Sequence, residues 1–89
     1  MNRVAEVVWR SQAVNDIRAI ARYINDHDPR AASDISSRLL DLGESLASFP
    51  RRGRPRGDER EMTSVPPYIL RYRVEGDTVF IRHGARNTD

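Results

Sequence analysis

His83 and Glu61 are the two side chains in the C-terminal half of this chain best suited to move a proton, and arginines crowd the sequence around them. Histidine titrates near neutrality. With Glu61 as base, His83 as acid and Arg73 as a nearby cation, the three would form the set needed to cleave RNA through its 2′-hydroxyl. That reaction requires a base, an acid and positive charge to stabilise the phosphorane. Arg60, Arg71, Arg82 and Arg86 extend the cationic group. All fifteen basic residues are arginine, so a lysine base or Schiff base is excluded. Arginine offers a planar fork that grips phosphate or carboxylate in bidentate fashion. The same side chains therefore suit contact with an acidic partner. For Arg71 and Arg73 the plainer alternative is a solvated strand face, bridged to Glu61 and Glu75. His27 and His83 are isolated and the chain has no cysteine, so neither a metal site nor a cofactor is expected.

These residues need a sheet to hold them. Residues 3–9 are rich in β-branched and aromatic types, which predicts a first strand. Ser11 is positioned to cap a helix. Val14, Ile17, Ala21 and Ile24 then recur on one helical face, widened by Ile20 and Tyr23, until Asn25-Asp26-His27-Asp28 ends it. Asp28-Pro29 starts a second helix, with an N-cap acceptor followed by proline at the first helical position. Ala32, Ile35, Leu39, Leu42, Leu46 and Phe49 follow its 3-4-3-4-3 pattern up to Pro50. Gly43 interrupts that helix at about 1 kcal/mol relative to alanine and invites a close approach by another backbone. The short turn between the two helices makes them antiparallel.

Residues 50–59 read as a charged loop, with Arg51, Arg52, Arg54 and Arg56 solvated. Arg60–Val65 predicts a strand, and Pro66-Pro67 a turn. Tyr68, Leu70, Tyr72 and Val74 alternate with Ile69, Arg71 and Arg73, so the tyrosines belong to the core and the arginines to the other face. Glu75-Gly76-Asp77 turns the chain into Thr78–Arg82. The expected order is β-α-α-β-β-β. This is an α+β fold in which a helical hairpin packs on one face of a small, mostly antiparallel sheet.

The chain has 89 residues, which predicts a single domain spanning 1–89. It is 38% hydrophobic and 31% charged, as an ordered domain should be. No apolar run approaches the roughly 20 residues of a membrane helix. Glu6 and Arg10 bracket a short apolar patch unlike a secretory signal, so a cytoplasmic location is expected. The net charge of +2 is unevenly placed: residues 1–50 carry six arginines and seven acids, residues 51–89 nine arginines and six acids.

Several fragments, in this order, resemble the RelE/ParE superfamily of bacterial toxins. Trp9-Arg10-Ser11-Gln12-Ala13 with Asp16-Ile17 and Tyr23-Ile24 is similar to the family's entry into its first helix, and Asp28-Pro29-Arg30-Ala31-Ala32 to the start of its second. Phe49-Pro50 with Gly53-Arg54, then Arg60-Glu61, Tyr72-Arg73-Val74 and His83-Gly84-Ala85-Arg86, resemble its later motifs. The resemblance implies a type II toxin neutralised by a cognate, ParD-like antitoxin in a hetero-oligomer. It also implies one of two targets. ParE-like members inhibit DNA gyrase without chemistry of their own, whereas RelE-like members cut messenger RNA on the ribosome. The His-Gly-Ala-Arg ending and the absence of lysine are closer to the ParE-like group, so the expected function is gyrase inhibition with no catalytic residue. Ribosome-dependent cleavage by His83, Glu61 and Arg73 is the alternative. Arg60, Arg71, Arg73, Arg82 and Arg86 are then expected to contact target or antitoxin, and Ile20, Tyr23 and Leu40 to line an antitoxin groove. Against the family pattern, Thr78–Arg82 reads about two residues short. This leaves a third reading, a non-toxic module that only binds an antitoxin.

Overall fold

The computed structural model describes residues 4–87. Strand β1 (Glu6–Trp9) runs into helix α1 (Ser11–Asn25), and helix α2 (Pro29–Glu44) follows and ends in a 3₁₀ turn, Ser45–Ala47. The chain returns through β2 (Arg54–Arg56), β3 (Glu59–Val65), β4 (Tyr68–Glu75) and β5 (Thr78–Arg86). The described strands form a five-stranded sheet ordered β1-β5-β4-β3-β2. β1 lies parallel to β5, and the remaining pairs are antiparallel. The expected α+β architecture holds, with β2 added where the sequence read as loop.

The helices form where side-chain chemistry favours them. Asp28 accepts hydrogen bonds from the backbone N–H groups of Arg30 and Ala31, both at 3.1 Å. A cap of this kind contributes about 1 kcal/mol. Ser11 is not a cap but the first helical residue of α1. Arg10 takes the cap position in an extended conformation, because its N–H is still bound to the Ile81 carbonyl of β5 at 2.9 Å. The apolar stripe of α2 holds through Leu39, Leu42 and Leu46 but not to its expected end. The tighter 3₁₀ turn rotates the chain after Glu44, and Phe49 is 65% exposed.

Leu39 and Leu46 from the helical segment meet Leu70, Tyr72, Val79 and Ile81 from the sheet, all fully buried. Tyr68 joins this core, and Ile69 is buried as well. Two close approaches lock the layers together. An added Cβ at Gly43 would fall 2.3 Å from the Trp9 ring, so it is an indole, not a backbone, that fills the space there. Trp9 also donates from its indole N–H to Glu44 at 3.0 Å. At Gly53 a Cβ would lie 2.6 Å from the Tyr72 hydroxyl, which accepts the Gly53 N–H at 2.9 Å. Burial pushes the Tyr72 phenol up from its ordinary range, partly opposed by that hydrogen bond.

Both outer hairpins turn on Gly-Asp pairs, Gly57-Asp58 and Gly76-Asp77, with each glycine at φ near +60° (61° and 60°). Two-residue hairpin loops favour glycine at such positions. β5 is nine residues long and does not stop at Arg82. Its register with β4 passes from Arg71↔His83 to Tyr72↔Ile81, leaving one extra residue on β5. This bulge places Arg82 and His83 together opposite Arg71, between the buried Ile81 and Gly84. The strand thus runs on through His83-Gly84-Ala85-Arg86 and is bent at one point.

Candidate functional site

The face of the sheet away from the helices carries most of the ionic chemistry. Glu61, Arg71 and His83 are successive cross-strand partners on β3, β4 and β5, so a single row across the sheet runs carboxylate, guanidinium, imidazole. The Glu61 side chain is only 3% exposed. Arg54 approaches one of its oxygens at 2.7 Å, and Arg56 and Arg71 the other at 3.3 Å each. The Arg54 hydrogen bond is the main force holding the Glu61 carboxyl below its ordinary value. Burial opposes that effect, and Arg71 and the charge of Arg56 reinforce it. A carboxylate enclosed by three guanidiniums and held in its charged form is a weak base.

Arg54 and Arg56 are thus exposed, as their charged stretch suggested, but also ion-paired, which it did not. The short β2 pairs antiparallel with β3 and delivers both side chains to Glu61. The other sheet arginines are also paired: Arg73 with Asp58 in the β2–β3 turn, and Arg82 with Glu59 at 3.2 Å. Arg71 meets Glu61 as expected, whereas Arg73 turns to Asp58 and not to Glu75.

Beside this row lies an open depression of about 270 Å³, lined by Arg10, Arg73, Glu75, Phe80, Arg82 and His83. Arg10 stacks over Phe80, with its guanidinium carbon 4.9 Å from the ring centroid. The bulge brings His83 to this depression beside Arg82. Asp16 of α1 braces the bend by accepting the Gly84 N–H at 3.0 Å and a Gln12 amide hydrogen bond at 2.7 Å.

Arg60 and Arg86 stand apart from Arg71, Arg73 and Arg82. Arg60 pairs with Tyr72 across β3 and β4, on the core side, and donates to the carbonyls of Arg51 and Gly53 at 3.0 and 2.8 Å. It holds the segment leading into β2. Arg86, opposite Tyr68, lines a second depression of about 310 Å³ with Ala19, Ile20, Tyr23 and Tyr68. Ile20 and Tyr23 are therefore brought together in one mostly apolar groove, and Tyr23 is 59% exposed. Leu40, on α2, is 46% exposed and does not line it. His27 makes an edge contact with the Tyr23 ring at 5.8 Å between centroids.

Sequence reasoning gave no role at the site to Arg10, Asp16, Asp58, Glu59 or Phe80. Asp58 and Glu59 had a local signal, since Gly57-Asp58 is a hairpin turn like Gly76-Asp77. Arg10 and Asp16 belong to a family-like fragment, but their roles depend on β5, which is distant in sequence. Among the described residues, no His, Asp and Glu cluster suited to a metal ion is present, and no helix is long and apolar enough to cross a membrane.

Comparison with known proteins adds to this geometry. The family model described as the ParE toxin of the type II toxin–antitoxin system parDE matches residues 7–88. Toxin RelE2 of Caulobacter vibrioides is 42% identical over 87 residues, covering 93% of this chain and 99% of the relative. Toxin RelE1 of the same bacterium is 31% identical over 74 residues, covering 79% and 80%. Among solved structures, a chain of the chromosomal ParDE system from Pseudomonas aeruginosa superposes with a TM-score of 0.84, at 21% identity, over 94% of this chain and 97% of that one. A chain of the RelBE2 toxin–antitoxin complex from Mycobacterium tuberculosis gives 0.69, also at 21% identity, over 97% and 94%. At that identity these two likenesses concern the fold alone.

Proposed function

Because the chain belongs to the ParE toxin family of type II toxin–antitoxin systems, we propose that it acts by binding DNA gyrase and not by catalysis. The state of Glu61 carries this reading. The carboxylate that would serve as base is enclosed by Arg54, Arg56 and Arg71 and held in its charged form. Arg73 and Arg82, which would stabilise a phosphorane, are engaged by Asp58 and Glu59. A face organised in this way offers shape and fixed charge to a protein surface, while the carboxylate that would serve as its base is already committed.

A ParD-like antitoxin neutralises the toxin in this reading. Its amphipathic segment lies in the groove of Ile20, Tyr23, Tyr68 and Arg86, where an apolar floor ends in one cation. The complex is cytoplasmic.

One observation favours a second reading, ribosome-dependent cleavage of messenger RNA. His83 shares its depression with Arg10, Arg73 and Arg82, and two relatives bear the name RelE. Purified toxin added to gyrase, with and without antitoxin, distinguishes the two. Inhibited supercoiling and trapped cleaved DNA, both reversed by antitoxin, are the expected results. Folded toxin that leaves gyrase unaffected, yet cuts messenger RNA on ribosomes and loses about 10²–10⁴-fold in rate as His83→Ala, would replace the gyrase reading with the nuclease one.

A further inference from the structure

The arginines of the open face are paired by acids from one short stretch of chain. Asp58 meets Arg73, Glu59 meets Arg82, and Glu61 meets Arg54, Arg56 and Arg71. These carboxylates lie within four consecutive positions, in the β2–β3 turn and the first residues of β3. They reach arginines on three other strands because the register sets β3 beside β2 and β4, and Arg82 lies on the same face of β5, next after the buried Ile81.

Stability does not account for the two outer pairs. The Asp58 side chain is 71% exposed and that of Arg73 37%; Arg82 is 41% exposed against 20% for Glu59. Ion pairs this open to water contribute little to folding stability. They alter the field met by anything approaching the sheet much more than they alter folding. An arginine already paired with a carboxylate presents less net charge, and one donor fewer, to an approaching phosphate.

We propose that Asp58 and Glu59 are specificity-determining residues whose carboxylates pair with Arg73 and Arg82, offset their charge and so keep nucleic-acid phosphates off the open face. The two acids imitate the anion they exclude. Without them the face would present unopposed guanidiniums beside the Arg10-covered Phe80 ring, a cationic surface of the kind that tracks the phosphates of single strands. With them the face is selective for a partner that displaces carboxylates through many matched contacts, as a folded protein surface does and a flexible phosphate chain does not. This inference concerns what the face rejects and does not depend on gyrase being the target.

The size of the effect follows from counterion release. Each phosphate contact on a single strand adds about −0.7 to the slope of log K against log salt, or about fivefold in affinity per tenfold fall in salt. Two released arginines therefore add about 1.4 to the slope. They should tighten binding about 25-fold at 0.1 M salt, with wild type and variant converging near 1 M.

The experiment is fluorescence anisotropy with a fluorescein-labelled, 12-nucleotide single-stranded DNA of mixed sequence, titrated with protein between 0.1 and 1 M salt. Wild type is compared with Asp58→Asn/Glu59→Gln. A control, Asp34→Asn/Asp41→Asn, removes the same charge from exposed positions on α2, and the two single variants separate the pairs. Thermal melts confirm that every protein is folded, and Glu61 is left intact. The expected result is weak binding by wild type and control, with tighter and more salt-dependent binding by Asp58→Asn/Glu59→Gln. Adding Arg73→Gln and Arg82→Gln to that variant should abolish the gain. No gain, an equal gain in the control, or a gain that survives loss of both arginines would each overturn the proposal. Gyrase inhibition is measured separately, so failure here and failure of the gyrase reading remain distinguishable.

Discussion

Replacing Glu61 with glutamine keeps the shape of the side chain and removes the charge that three guanidiniums enclose. Its cost can be bounded from the geometry. Removing one partner of a fully buried ion pair costs about 3–5 kcal/mol, whereas an exposed pair is worth about 0–1 kcal/mol. Glu61 is buried with its side chain 3% exposed, but Arg54, Arg56 and Arg71 are 68%, 53% and 31% exposed and can turn toward water. The expected loss at pH 7 therefore lies between the two cases, at about 1–3 kcal/mol. At about 4–8 °C per kcal/mol for a domain of this size, a loss in the middle of that range lowers Tm by roughly 8–16 °C. The sign of the pH dependence follows from the lowered Glu61 pKa. The stabilisation is fully present above the ordinary value of 4.5 and is lost as pH falls through the lower folded-state value. Urea denaturation of both proteins from pH 7 down to pH 3 should therefore show a gap that is widest near neutrality and closes in acid. The other carboxylates titrate in both proteins and largely cancel. Equal stability at pH 7, or a gap of constant width down to pH 3, would refute the account of Glu61 as a charge-stabilised hub.

Three further substitutions probe the supports of the site by the same measurement. Gly43→Ala improves helix propensity by about 1 kcal/mol, yet should leave the protein less stable overall, because the new methyl would fall 2.3 Å from the Trp9 ring and overpacking costs about 1–3 kcal/mol; a shift in tryptophan fluorescence should accompany the loss. Tyr72→Phe leaves the Gly53 N–H without its acceptor and should cost about 1–3 kcal/mol, read as a lower denaturation midpoint at unchanged m-value. Asp28→Ala removes the acceptor for two backbone N–H groups at the start of α2 and should cost about 1 kcal/mol, with the open face and its ion pairs unchanged.

The helical hairpin was legible in the chain because its causes are local. Asp28-Pro29 combines an acceptor with a preset backbone angle, and the spacing of Leu39, Leu42 and Leu46 follows from helical geometry. The alternation of Tyr68, Leu70 and Tyr72 with Arg71 and Arg73 marked the two faces of β4 for a similar reason. The family likeness rested on the same local fragments and was supported over residues 7–88. Phe49 and Ser11 were misplaced where a local pattern met a tertiary constraint, a 3₁₀ turn in one case and the Arg10 hydrogen bond to β5 in the other.

By itself, then, the sequence determined the helices, most of the strands and the stock of arginines facing away from the core. Which anion each arginine meets was decided only by the tertiary structure. Glu61 becomes a hub because β2, a three-residue strand hidden in a charged stretch, pairs with β3. Arg82 and His83 share a face because a single bulge in β5 breaks the two-residue alternation that a linear reading must assume. Asp16 supports that bend from 68 residues away. Periodicity is a property of neighbouring residues, whereas an ion pair depends on strand register, and register is settled only when distant segments pack together.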